Sequence, residues 1–118
     1  MVIPKQGDLI FIDAEPHTGH EQGGHDPHHG NIRRPMVVIS NNGYNQQLHM
    51  VVCMPITSKL KNDRRIYLPI ADHDSVIQGN IITFQIPNYD YIARHGEVIG
   101  QVNTALLNEL TERAKSIF

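Results

Sequence analysis

A single cysteine, Cys53, and no tryptophan stand in a chain of 118 residues. One thiol cannot close an internal disulfide. With neither a Cys-x-x-Cys pair nor a Cys/His zinc-finger spacing, nothing marks an oxidising compartment or a cysteine-based structural metal, and the cytoplasm is the expected location. Long apolar runs are equally scarce: stretches such as residues 10–12 fall far short of a membrane span. The N-terminus, MVIPKQGDLIF, lacks an apolar segment behind a basic start, so neither secretion nor membrane insertion is expected. Helix-length segments between strands are also missing until the C-terminus, which excludes a parallel βαβ sheet.

What remains is a chain for one domain, residues 1–118, with 40% hydrophobic residues. A chain of this size buries roughly two-thirds of the surface its unfolded form exposes, so its core is modest and a subunit interface would help it. A homodimer at twice 13.3 kDa is therefore expected. The net charge of −2 hides a segregation. Residues 1–32 hold five acids and one lysine, residues 33–68 six bases and one acid, and residues 69–118 six acids and three bases. A basic middle between acidic ends suits local binding of a polyanion.

The strands are short. Residues 9–12, 36–39, 50–54, 66–70, 76–86 with an interruption at Gly79, and 98–102 are β-branched or apolar runs bounded by turn residues. This pattern predicts a mainly β fold, a small SH3-like antiparallel barrel, closed or half-closed. Leu106, Leu107, Leu110, Ala114 and Ile117 recur at three- and four-residue steps, which predicts an amphipathic helix over about 104–117, capped by Asn103 or Thr104 and covering the open side of the barrel. Residues 14–34 show neither periodicity and contain five of the eight histidines. A loop that long in a small domain is usually functional or mobile.

Three segments carry candidate chemistry. Gly19-His20-Glu21-Gln22-Gly23-Gly24 places an acid/base pair and an amide on a bendable backbone; the plain alternative is a polar surface loop. Arg33-Arg34-Pro35 precedes a strand, and an arginine fixed by a proline and a strand start has a planar fork that suits a phosphate, the plain and commoner alternative being a solvated arginine pair. Thr57-Ser58-Lys59, at a strand end, offers two hydroxyls and a cation to the same kind of group, the plain alternative being an ordinary strand-to-turn transition.

The order of Gly7-Asp8-Leu9-Ile10, Gly19-His20-Glu21-Gln22-Gly23, Arg34-Pro35 leading into Val37-Val38-Ile39-Ser40, Asn45, and Pro55-Ile56-Thr57-Ser58 resembles the MazF/PemK toxins of bacterial type II toxin–antitoxin systems. The resemblance implies a barrel shared with the gyrase poison CcdB. It also implies a homodimer, and metal-independent cleavage of single-stranded RNA, often mRNA, at short sequences. A MazE/PemI-like antitoxin would neutralise it, with DNA reached only through that complex. By position, Arg34 and Thr57 match the family's catalytic arginine and threonine, and His20 and Glu21 match loop residues that assist. Gln22, Arg33, Ser58, Lys59, Gln85, Asp90 and Arg94 are the expected RNA contacts. The implied reaction uses the 2′-hydroxyl of RNA against its own phosphodiester, leaving a 2′,3′-cyclic phosphate and a 5′-hydroxyl. It needs a base, an acid and a cation, with no cofactor. An arginine surrenders its proton too reluctantly to serve as base, so Arg34 is read as stabiliser or acid, and Glu21 or His20 as base.

Two departures stand out. Residues 25–32 lengthen the loop before Arg34-Pro35. Their histidines, with His17, His20 and Asp26, are zinc or nickel ligands by type, but no regular spacing orders them, so adventitious metal binding is the expectation. In residues 83–94, Gln85, Asp90 and Arg94 match the family, whereas Phe84 replaces an acid and Pro87 an arginine that binds RNA in relatives. Tyr89 and Tyr91 are expected to pack, with base stacking as the alternative. The competing reading is a non-catalytic protein on the same barrel, either a gyrase inhibitor or an inactive RNA binder; a gyrase inhibitor does not need Arg34, Thr57 and Glu21 together.

Overall fold

In the computed structural model, residues 2–14, 33–72 and 77–118 are described. Seven strands and two helices follow in the order β1 (Asp8–Asp13), β2 (Arg33–Val38), α1 (Asn42–Leu48), β3 (Met50–Thr57), β4 (Tyr67–Asp72), β5 (Ile77–Ile82), β6 (Asn88–Asp90), β7 (Glu97–Gln101) and α2 (Thr104–Lys115). Among the described residues every strand pair is antiparallel. The sheet runs β4-β5-β3-β2-β1-β7, with β6 added to β3. It is a curled half-barrel rather than a closed one: among the described residues β4 pairs only with β5, and β7 only with β1.

The central strands read as continuous apolar runs because both faces are covered. Side chains alternate along β1 and β2, so Ile10, Ile12, Met36 and Val38 join Val51, Cys53 and Tyr91 on one side. Leu9, Val37 and Ile39 join Met54, Ile56, Ile81 and Leu110 on the other. The second cluster is where α2 docks: Leu110 is fully buried, with Leu106 and Ala114 packed beside it. The Asn103 side chain accepts the Leu106 backbone N–H at 2.8 Å, capping α2 as its sequence position predicts. The helix stops at Lys115, short of residue 117, and Ile117 and Phe118 are exposed. Among the described residues no helix is long and apolar enough to cross a membrane.

Two elements depart from the pattern read in the sequence. β6 is a three-residue strand. The helix α1, NGYNQQL, has no apolar periodicity; its buried residue is polar. The Asn45 amide donates to the carbonyls of Pro4 at 3.1 Å and Ser40 at 3.2 Å, and its oxygen accepts from the Ser40 hydroxyl, so hydrogen bonds anchor this helix where a stripe of leucines would otherwise do so. It ends at His49 in the left-handed conformation, φ +55°.

Candidate active site

β2 and β3 are in register at Met36↔Pro55, Val37↔Met54 and Val38↔Cys53. Continued toward the start of β2 and the end of β3, that register sets Arg34 opposite Thr57. Both belong to the face that carries Met36, Val38 and Cys53, since Arg34 lies two and four residues from Met36 and Val38 along β2 and Thr57 lies four residues from Cys53 along β3. The inner part of this row is core; its outer end opens into a cleft of about 400 Å³. Arg34, Thr57, Ser58, Lys59, Gln78 and Gln85 supply its polar lining, and Pro35, Pro55, Ile56 and Ile82 its apolar walls. The guanidinium and the hydroxyl expected to meet a phosphate thus line one cavity.

The end of β3 is shaped from β5. Gly79, with φ +153°, passes so close that a Cβ there would lie 2.3 Å from the Thr57 carbonyl oxygen and 3.3 Å from Ile56 Cγ2. Only glycine permits that approach in that backbone conformation. Next to it, the buried Asn80 pairs with Thr57 across the ladder, and its amide donates to the Lys59 carbonyl at 3.1 Å. Thr57 Oγ1 accepts the Lys59 backbone N–H at 3.2 Å, which turns the chain out of the strand. A hydroxyl that accepts this bond still has its own proton to donate. Gln78 and Asn80 were not singled out by sequence reasoning; the signal that points to them is the glycine inside the strand, which marks close backbone approach.

Arg33 and Arg34 face opposite sides of β2. Arg33 Nη1 donates to Asp13 Oδ1 at 2.8 Å and to the His95 carbonyl at 2.9 Å, and its Nη2 lies 3.5 Å from Glu97. Asp13 also takes His95 Nδ1 at 2.8 Å. This network ties β1, β2, β7 and the turn at His95, and Arg33 does not line the cleft. Asp90 caps a turn by accepting the Ala93 N–H at 3.0 Å. Arg94 donates to the Asp13 carbonyl at 3.2 Å and lies 5.4 Å from the centre of the Tyr89 ring. Tyr91 is core, as packing predicted, against Gly96, where a Cβ would meet its ring at 2.1 Å. His20, Glu21, Gln22 and the loop histidines fall outside the described residues, so the base and the metal reading are not placed.

Of the basic middle segment, Lys59 reaches the cleft. Arg65 is engaged with Asp63, whose carboxyl it holds below the usual range through a hydrogen bond at 3.0 Å. Burial pushes the Cys53 thiol far above its ordinary value, so it is no nucleophile at neutral pH.

A second cleft of about 500 Å³ adjoins the first, sharing Arg34, Pro55 and Gln85 with it and continuing over Met36, Ile86, Pro87 and Tyr89. Together they form a groove that is polar and cationic at one end and apolar at the other.

Known proteins share the family and the fold. Residues 5–118 match the family described as PemK-like, MazF-like toxin of type II toxin–antitoxin system. The endoribonuclease toxin MazF of Escherichia coli K12 is 41% identical over 59 residues, which is 50% of this chain and 46% of that protein. The matched stretch therefore spans about half the length of that curated relative. Among solved structures, MazF from Deinococcus radiodurans superposes with a TM-score of 0.79 at 23% identity, covering 99% of this chain and 97% of that one. The MazE-MazF complex from the same organism gives 0.75 at 20% identity, over 99% and 96%. A mycobacterial endoribonuclease in complex with its cognate antitoxin gives 0.69 at 18% identity, over 98% and 93%. These likenesses establish the half-barrel with its C-terminal helix as the fold of this group.

Proposed function

Since the chain belongs to the PemK-like, MazF-like toxin family of type II toxin–antitoxin systems, we propose that it is an endoribonuclease toxin that cuts single-stranded RNA at short sequences. In this reading a base withdraws the proton of a ribose 2′-hydroxyl, the O2′–P bond forms, the P–O5′ bond breaks, and O5′ takes up a proton. The products are a 2′,3′-cyclic phosphate and a 5′-hydroxyl. Because the substrate brings its own nucleophile, the protein needs no metal and no covalent intermediate.

The observation that supports this reading is the single cleft lined by both Arg34 and Thr57. Arg34 neutralises the charge that grows on the non-bridging oxygens, and the Thr57 hydroxyl donates to one of them. Ser58, Lys59 and Gln85 hold the flanking chain. Glu21 or His20 moves the proton. The toxin works in the cytoplasm as a homodimer of 13.3 kDa subunits, and a MazE-like antitoxin silences it by occupying the groove.

The test is to incubate purified protein with a long single-stranded RNA in EDTA. Cleavage yielding 5′-hydroxyl ends is expected, and Arg34→Ala should lose it by about a hundredfold or more, the usual effect of deleting one transition-state donor. Intact RNA with the natural protein, or undiminished cleavage by the variant, would overturn the reading.

A further inference from the structure

Arg34 is the second residue of β2, and its register with β3 lies two positions outside the ladder, which begins at Met36↔Pro55. In between, Pro35 has no N–H to give. Its edge of the strand is the one that faces β3, since Ile39, four residues on, donates to Val52 there. The start of β2 is paired instead to β1, at Ile12↔Arg34 and Asp13↔Arg33. We propose that Asp13, Arg33 and His95 are positioning residues for cleavage, a clamp on the face away from the cleft that fixes the direction in which Arg34 enters it; the inference rests on the RNA-cleaving reading of the site.

The clamp engages both ends of the Arg33 guanidinium. Its Nη1 donates to Asp13 Oδ1 at 2.8 Å and to the His95 carbonyl at 2.9 Å, and its Nη2 to the Phe11 carbonyl at 3.4 Å. Asp13 is buried, and its second carboxylate oxygen meets His95 Nδ1 at 2.8 Å. Its backbone is tied to the same turn twice: the Asp13 N–H donates to the Arg94 carbonyl at 3.0 Å, and the Arg94 guanidinium donates to the Asp13 carbonyl at 3.2 Å. Charge-assisted bonds to a planar fork hold direction as well as distance. Residues 33 and 34 share one peptide and point to opposite faces, so a side chain pinned on one face sets the roll of the strand and, with it, the line of Arg34 on the other. Holding a reacting group in place raises rate rather than affinity. The rival role is direct contact between Arg33 and RNA, and an engaged fork outside the lining of the cleft does not suit it.

The experiment uses one short RNA around a mapped cut site, cleaved in single turnover by saturating protein, and the same RNA with a 2′-deoxy sugar at the cleaved nucleotide for binding. Each variant is measured where a urea titration shows it folded. Arg33→Met should cleave roughly ten- to a hundredfold more slowly, the size of effect that misplacement by about 1 Å produces, and should bind the blocked RNA as the natural protein does. Added to Arg34→Ala, the same change should cost nothing further, because no guanidinium is left to aim. A general loosening of the fold would multiply with Arg34→Ala instead. Should Arg33→Met fail to fold, His95→Gly takes its place. Glycine suits the left-handed backbone there, φ +56°, and the change removes the imidazole while keeping the carbonyl that accepts from Arg33; a smaller loss with the same two signatures is expected. Cleavage at the natural rate, weaker binding with the natural saturated rate, or losses that multiply in the double variant would overturn the clamp. If the natural protein leaves the all-ribose RNA intact, or Arg34→Ala cuts it as fast as the natural protein, the RNA-cleaving reading fails instead.

Discussion

Gly79→Ala joins local geometry to activity most sharply. The added Cβ would stand 2.3 Å from the Thr57 carbonyl oxygen and 3.1 Å from the Thr57 carbonyl carbon, both backbone atoms that cannot swing aside. Reaching ordinary contact at 3.4 Å requires β5 and the end of β3 to part by about 1.1 Å, at the expense of the Ile56↔Ile81 and Thr57↔Asn80 pairing. Crowding of this kind costs about 1–3 kcal/mol, and a side chain at positive φ about 1–2 kcal/mol more. The total, about 2–5 kcal/mol, is a large share of the roughly 5–15 kcal/mol that holds a domain of this size. A urea titration should show the midpoint falling by about 1–3 M. Under conditions where the variant is still folded, RNA cleavage should drop by about a hundredfold, because a shift of about 1 Å in a positioned group has that effect. Gly43→Ala is the control. Among the described residues its Cβ meets only Asn41 Oδ1, at 3.5 Å, within a helix, so stability should hold or rise by up to about 1 kcal/mol. A Gly79→Ala protein with the natural urea midpoint and the natural cleavage rate would refute the claim that β5 positions Thr57.

Cys53 is fully buried, so a thiol reagent should label it only on unfolding, and labelling in the absence of denaturant at the speed of a free thiol would contradict its placement. Its folded form keeps the proton that the unfolded form releases around the ordinary value of 9.0, so this contribution to stability is whole below about pH 9 and is lost as pH rises beyond it; urea midpoints of Cys53→Ala should decline less across that window. Asp13→Asn should lose about 1–3 kcal/mol in the same titration, since the carboxylate receives Arg33 and His95, each at 2.8 Å; an unchanged midpoint would show that this network is ornamental.

Much of the framework is legible in the residues themselves. The apolar runs of β1, β2 and β3 and the three- and four-step spacing of α2 are signals of burial, and burial is what the core clusters show. α1 is not legible that way, because its anchor is the amide of Asn45 and the partners of that amide, Pro4 and Ser40, are defined only once the chain has folded. β3 reads as residues 50–54 leading to Pro55, but the strand continues to Thr57. Cys53 N–H points to Pro87 on the edge away from β2, so the missing N–H of Pro55 falls on that same edge, between the stretch paired with β6 and the stretch paired with β5. Alternation says that Arg33 and Arg34 must part company, yet only the folded positions of Asp13, His95 and Glu97 reveal which of the two is held on the side away from the cleft. Gly79 reads as an interruption of a strand; in the structure it is a strand residue whose missing side chain makes room for Thr57.

The central claim is that Arg34 and Thr57 act together on one phosphodiester, and a double-mutant cycle on cleavage of a single defined RNA tests it most directly. Groups that serve one transition state are strongly non-additive. Arg34→Ala and Thr57→Val should each abolish most of the rate, and the double variant should be about as slow as the slower single one. Losses that simply multiply in the double variant would mean that the guanidinium and the hydroxyl work on separate events.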